Sequence, residues 1–203
     1  MSRVIPLTGA TREGLPGCCL DCVFWQGLRG LSDQRRKTRW SRAVEERFGA
    51  WGRVLFDGDQ FRGLLQYGPA SDFPRAQALP AGPPGRDAGL LTCAFLAGSD
   101  PEGSCERLVL EALADLKARQ FAGVEAFAFR HPEETPAAER FVGHHTLFDR
   151  DLLLRLGFRP VRARGRVILA RLDLGGLAPA QASASERAAH LGPLLAPGMP
   201  RPA

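Results

Sequence analysis

The sequence predicts a mixed α/β domain, and three consecutive segments carry that prediction. Residues 90–96 form a nearly continuous apolar run, which is typical of a strand buried on both faces. A helical pattern follows, with one apolar face made of Leu108, Val109, Ala112, Leu113 and Leu116. After Gly123, residues 124–129 alternate as a second strand. Such a unit aims the unpaired N–H groups of a helix start at the space beside a strand end.

The elements before this unit follow from local signals. Residues 1–16 are expected to be an extended lead-in, and residues 18–26 a compact apolar segment. Ser32 or Asp33 caps a helix that runs to Phe48, and Gly49 ends it. Residues 51–56 and 61–67 are predicted strands, joined by a turn at residues 57–59.

The later elements complete one domain at residues 1–174. Residues 68–87 and 130–146 are predicted loops, and residues 147–156 a helix. Residues 161–163 and 167–172 are the last two strands, with a turn near Gly165. Residues 175–203 are rich in Ala and Pro and are expected to be a mobile tail, with a possible short helix at residues 184–195.

Two pieces of the chain resemble the GNAT superfamily of acyl-CoA-dependent N-acyltransferases. One is the strand–loop–helix unit, where the family signature is Arg/Gln-x-x-Gly-x-Gly/Ala and this chain has Asp100-Pro101-Glu102-Gly103-Ser104-Cys105. The other is the stretch 152–158, Leu-Leu-Leu-Arg-Leu-Gly-Phe, which is similar to the family's late helix. The resemblance covers about two-thirds of the chain and implies a GNAT-like central mixed sheet with splayed strands, flanked by helices.

The resemblance also implies where acetyl-CoA, as co-substrate, would bind. The end of the central strand would pair with the pantetheine arm through Phe95, Leu96 and Ala97, and the helix start would bind the diphosphate through Gly103, Ser104, Cys105 and Glu106. Asp100 departs from the signature because it places a carboxylate where the family has Arg or Gln. Two interpretations stay open here: a main-chain phosphate cradle, or an ordinary helix start with Asp100 as its cap.

Candidate catalytic residues are few. Glu125, on the strand after the helix, is a candidate proton acceptor, and the alternative is an exposed strand carboxylate. His145, next to His144, lies where the family places its acceptor site, and histidine titrates near neutral pH. The resemblance puts the family's tyrosine acid at Leu153, so acid assistance from that position is absent.

Composition and charge narrow the function classes. The hydrophobic content of 44% and charged content of 24% are ordinary for a soluble globular protein, and no stretch reaches the length of a membrane span. The net charge is +5, with arginine clusters at residues 29–47 and 155–171, but without a nucleic-acid recognition motif we do not expect nucleic acid as a partner. The five cysteines favour reduced thiols, with Cys105 as the candidate reactive one, and no spacing indicates a metal site.

We therefore expect a cytoplasmic acyl-CoA-dependent N-acyltransferase that acts on a small-molecule or peptide amine by direct transfer, and that forms a homodimer if it self-associates. The alternative is a catalytically degenerate GNAT-like module that binds CoA or another protein. Asp100, Cys105 and Leu153 favour that alternative.

Overall fold

One mixed sheet of eight strands organises the residues that the computed structural model describes, 2–143 and 145–176. Its strands are β1 Ser2–Pro6, β2 Gly52–Asp57, β3 Gln60–Pro69, β4 Gly89–Leu96, β5 Gly123–Phe129, β6 Phe148–Asp149, β7 Arg159–Arg164 and β8 Val167–Asp173. They lie in the order β1-β2-β3-β4-β5-β8-β7, with β6 paired to β5. The pairs β4–β5 and β5–β6 are parallel, and the other pairs are antiparallel.

Helices cover both faces of this sheet. They are α1 Gly17–Asp21, α2 Gln34–Phe48, α3 Pro101–Ala118 and α4 Arg150–Arg155. The hydroxyl of Tyr67 on β3 donates to Asp115 on α3, whereas the neighbouring Gln66 accepts a bond from Lys37 on α2. Because successive strand residues point to opposite faces, α2 and α3 lie on opposite sides of β3.

The ends of α2 match the signals in its sequence. The Asp33 side chain accepts a hydrogen bond from the amide of Arg36 at 2.9 Å and thereby caps the helix. Gly49 ends the helix in a left-handed conformation, with φ of 79°. The buried stripe along the helix consists of Lys37, Ser41, Val44 and Phe48.

Several elements differ from the sequence prediction. Residues 2–6 are an edge strand rather than a lead-in, because they pair with β2 along their whole length. The helix expected at residues 147–156 begins only at Arg150, since Phe148 and Asp149 pair with β5 and the Asp149 side chain caps α4 through the amide of Leu152. Residues 70–72 and 74–77 form short 3₁₀ turns inside the predicted loop.

Between residues 2 and 176, the described helices include none that is long and apolar enough to cross a bilayer. Apart from its first two residues, the tail predicted at residues 175–203 lies outside the described residues, and so does the helix predicted at residues 184–195.

Candidate active site

A bulge in the central strand opens a gap in the sheet. Leu65 pairs with Ala94, and Tyr67 pairs with Leu91. Two residues of β4, Thr92 and Cys93, therefore lie opposite one residue of β3, Gln66. A bulge of this kind bends its strand. The pairing of β4 with β5 accordingly stops at Leu91, and the two strands diverge beyond it.

The chain itself fills this gap with residues 145–149, the gap segment. The amide of Ala94 donates to the carbonyl oxygen of His145 at 2.9 Å, and Phe148 and Asp149 pair with the end of β5. Phe148 and Asp149 are both buried. The space left between the gap segment and the start of α3 is about 10 Å³, which holds at most one water.

The start of α3 is capped by its own residues. The Asp100 carboxylate accepts a hydrogen bond from the amide of Gly103 at 3.0 Å, and the Asp100 carbonyl accepts one from Ser104 at 3.2 Å. A Cβ on Gly103 would lie 2.3 Å from the Asp100 carboxylate, so the glycine is needed for this close cap. Glu102 forms an ion pair with Arg155 of α4. Two amides that a diphosphate would use are therefore occupied.

A cavity of about 240 Å³ lies beside the gap, at the bulge of β4. The His145 ring packs on Phe95 with 4.7 Å between the ring centroids, and both residues line the cavity. The remaining lining residues come from the N-terminal third of the chain and from the bulge and its surroundings: Cys18, Cys19, Cys22, Phe24, Gln26, Lys37, Gln66, Cys93 and Thr146.

A polar group at the cavity wall is built on Lys37. Its side chain is 1% exposed, and Nζ donates to Gln66 Oε1 at 3.1 Å. The amide of Gln26 donates to the same oxygen at 3.0 Å. Nζ also lies 5.0 Å from the Trp40 ring centroid and 5.3 Å from that of Trp51. Burial lowers the pKa of Lys37 to about 8.

Two of the thiols at this cavity, those of Cys19 and Cys93, are buried and protonated. Burial raises the pKa of Cys93 to about 12, and it raises that of Cys19 further. Cys105, the candidate reactive thiol, is 2% exposed, and burial raises its pKa to about 12, so it lacks the thiolate character that reactivity requires. Within the described residues, no cluster of three or more His, Cys, Asp or Glu side chains has the arrangement of a metal site.

No family model and no curated protein matches the sequence. Solved structures do match the fold. An N-acetyltransferase from Staphylococcus aureus Mu50 aligns with a TM-score of 0.53 at 12% identity, over 86% of this chain and 99% of that one. A putative acetyltransferase from Salmonella typhimurium, solved with its cofactor acetyl-CoA, aligns with a TM-score of 0.54 at 14% identity, over 89% of this chain and 99% of that one. The chain has the GNAT fold.

A further GNAT-family structure, a putative acetyltransferase from Desulfovibrio desulfuricans, aligns with a TM-score of 0.52 at 14% identity, over 86% of this chain and all of that one. At such low identity, the likeness establishes the architecture. The predicted fold class, a GNAT-like mixed sheet with splayed strands and flanking helices, is confirmed.

The residues predicted to bind the pantetheine arm lie at the diverging end of β4. Phe95 lines the cavity, and Leu96 borders the small residual space at the start of α3. The amide of Ala97 donates to Arg62 on β3, so it points away from the gap. The edge amide that faces the gap belongs to Ala94, and strand alternation places that of Leu96 on the same edge.

The gap fits an extended, amide-bearing arm, because the gap segment is such a chain and bonds to both neighbouring strands. With that segment in place, however, its backbone occupies the edge of β4 that such an arm would use, because the His145 carbonyl oxygen already accepts the amide of Ala94. A CoA arm in the GNAT position therefore requires residues 145–149 to leave β4.

The two predicted catalytic residues are not brought together. Glu125 is only 4% exposed, so it is not the exposed strand carboxylate of the alternative interpretation. The Arg171 guanidinium donates to its carboxylate at 3.2 Å, and the amide of Gly85 donates at 2.9 Å. Glu125 pairs with Leu90, on the closed side of the bulge. His145 lines the cavity, and His144 lies outside the described residues.

The chain offers no tyrosine at the cavity. Leu153, at the family's tyrosine position, is fully buried. Tyr67, the single tyrosine of the sequence, is buried against α3, and burial raises its pKa above the usual range.

Sequence reasoning missed the polar group at Lys37, although two signals mark it. Lys37 continues the buried stripe of Ser41, Val44 and Phe48 at helical spacing, and it is one of only two lysines in an arginine-rich chain. Gln26 and Gln66 each interrupt or end an apolar run.

Proposed function

We propose that the protein transfers an acyl group from an acyl-CoA, such as acetyl-CoA, to an amine. The observation that carries the proposal is the departure of β4 from β5 at the Thr92–Cys93 bulge, immediately beside a cavity lined by Phe95 and His145. In this arrangement the thioester would enter along the edge of β4 that faces the gap, and the amine would bind in the cavity beside the bulge. The acetyltransferase structures named above share the fold and support this assignment.

The co-substrate supplies an activated acyl group as a thioester. The chain's part is to hold the arm along the gap edge of β4, through the amides of Ala94 and Leu96, after the gap segment has moved. The amine must be neutral to attack, so a proton acceptor must face it. We assign this role to His145, whose ring packs on Phe95 at the cavity wall; the assignment requires that ring to stay at the wall while the His145 carbonyl oxygen releases the amide of Ala94.

The release of the gap segment sets the cost of binding. The segment is held by the Ala94–His145 backbone bond, by the short pairing of Phe148 and Asp149 with β5, and by an ion pair of Asp149 with Arg140 at 3.3 Å. Acyl-CoA binding replaces the backbone bonds with its own amides, but it must expel the buried Phe148 ring.

The test is acetyl-CoA binding and consumption by the full chain. Thermal unfolding with acetyl-CoA should show stabilisation, about 2.7 kcal/mol at a hundredfold excess over the dissociation constant. Chromatography should then show free CoA forming in the presence of a panel of primary amines. His145→Gln should keep the thermal shift but lose turnover by about a hundredfold or more, since it removes the proton acceptor. Absence of a shift at millimolar acetyl-CoA contradicts the proposal.

A second candidate is a GNAT-fold module that does not turn over acyl-CoA. Three features favour it: the gap segment fills the gap, Asp100 occupies two amides of the α3 start, and Leu153 replaces the family's tyrosine. This candidate predicts a chain that folds stably, binds acetyl-CoA weakly or not at all, and releases no free CoA with any amine of the panel, so the turnover measurement separates the two functions.

A further inference from the structure

The cavity beside the bulge contains a buried cation without an anion. Lys37 carries three N–H donors; one bonds to Gln66, and the ammonium otherwise faces the Trp40 and Trp51 rings. Among the described residues, no carboxylate lies within ion-pair distance of Nζ. A buried charge is costly unless it is paired, so this site is incomplete as it stands.

The ionisable groups around Lys37 do not supply the missing anion. Those close enough to affect its charge are Cys19, Cys22 and Cys93, together with the guanidinium of Arg12. Burial keeps the Cys19 and Cys93 thiols protonated at neutral pH. Arg12 adds a second positive charge. No carboxylate is among these groups.

We propose that this cavity binds a small carboxylate with an apolar body, with Lys37 as its counter-ion. The ammonium donates an N–H group to the carboxylate on the side that faces the cavity, and Gln66, whose Oε1 accepts from both Lys37 and Gln26, holds the ammonium in place. The ligand's apolar body packs against Phe24, Phe95 and the buried thiols of Cys19 and Cys93.

The size of the cavity limits the ligand. A volume of 240 Å³ corresponds to roughly eight waters at their share of liquid volume, so it accepts a molecule of roughly eight non-hydrogen atoms. A short-chain fatty acid or a small amino acid is of this size. A peptide or a nucleotide is too large to be enclosed.

The ligand's place in the reaction rests on the proposed function. If the chain transfers an acyl group, the carboxylate on Lys37 holds an amino-acid-like acceptor whose amine points toward His145 and the end of β4. Carboxylate binding itself needs no CoA, so a titration without CoA tests the cavity independently of the transfer reaction.

The experiment is a calorimetric titration of the full chain with sodium butyrate at constant ionic strength. Butyramide, the neutral analogue of nearly the same shape, is the ligand control. Lys37→Met removes the charge and keeps the bulk, and Lys117→Met on α3 is the matched protein control, since these are the two lysines of the sequence. We expect butyrate to bind, butyramide and Lys37→Met to weaken binding at least about tenfold, and Lys117→Met to leave it within about twofold.

The pH dependence of the unmodified chain gives a second measurement that does not depend on a variant folding. With a lysine pKa of about 8, the charged fraction falls by roughly thirtyfold between pH 7 and 9.5, and butyrate affinity should fall with it. Equal binding of butyrate and butyramide overturns the proposal, and so does no butyrate binding, or a butyrate affinity that is unchanged at pH 9.5.

Discussion

The buried charge on Lys37 should lower the free energy of unfolding by an amount that follows from its pKa. Its pKa is lowered from 10.5 to about 8, chiefly because burial disfavours the ammonium. A shift of this size corresponds to about 3 kcal/mol, since each pKa unit is worth about 1.4 kcal/mol. At pH 7 the folded chain carries this whole penalty. Lys37→Met removes it but also removes the bond to Gln66, worth about 1 kcal/mol, so the variant should be about 2 kcal/mol more stable.

The sign of the pH effect follows from the same shift. Between pH 8 and 10.5 the unfolded chain holds the lysine proton more tightly than the folded chain, so the stability of the wild type rises with pH relative to Lys37→Met. From pH 7 to 9 this relative gain is about 1.3 kcal/mol. Burial keeps the pKa of the Cys19 and Cys93 thiols at about 12 or above although Lys37 lowers both, so neither thiol ionises in the folded state at pH 9 with or without Lys37.

The assay is urea denaturation of the wild type, Lys37→Met and Lys117→Met at pH 7 and 9 with a reductant present. The reasoning is refuted if Lys37→Met is less stable than the wild type at pH 7 and the difference does not change at pH 9. Such a result would mean that an unseen partner compensates the buried ammonium. Lys117→Met should differ from the wild type by the same amount at both pH values.

The remaining predictions concern the caps and the buried polar contacts. Asp100→Ala should lower the free energy of unfolding by about 1 kcal/mol through loss of the α3 cap, whereas Asp100→Asn keeps the cap and should be nearly neutral in urea denaturation. Glu125→Gln should cost about 3 kcal/mol because it leaves Arg171 with only the exposed Asp173 as partner; a loss below about 0.5 kcal/mol would contradict a structural role for this pair. Leu153→Ala should cost about 3 kcal/mol by opening a core cavity, and a thermal scan checks it.

Local signals account for most of the fold. The Asp33 cap, the Gly49 stop and the turn at residues 57–59 each act within a few residues, and the sequence predicted α2 and the β2–β3 hairpin correctly for that reason. The central strand and α3 were also predicted, because an apolar run and a helical stripe do not depend on distant partners. Strand β1 was missed because its pairing partner lies some fifty residues away in the chain, at β2.

The site depends on contacts that no local pattern encodes. The bulge at Thr92–Cys93 exists only in register with β3, and the gap segment is defined by its bonds to β4 and β5. The sequence left Glu125 as a candidate proton acceptor or an exposed strand carboxylate, because its partner Arg171 comes from the last strand. Asp100 was open to two interpretations, and the observed bond to Gly103 identifies it as a helix cap.

Acyl transfer by this chain requires the gap between β4 and β5 to admit an acyl-CoA arm in place of residues 145–149. Hydrogen–deuterium exchange with and without acetyl-CoA measures this directly. We predict that acetyl-CoA increases exchange at the amides of residues 145–149 as the segment leaves, while the Ala94 amide stays protected by its new partner. If millimolar acetyl-CoA leaves the exchange at residues 145–149 unchanged, acyl-CoA binding in the gap is contradicted, because the chain then keeps its own segment where the co-substrate should lie.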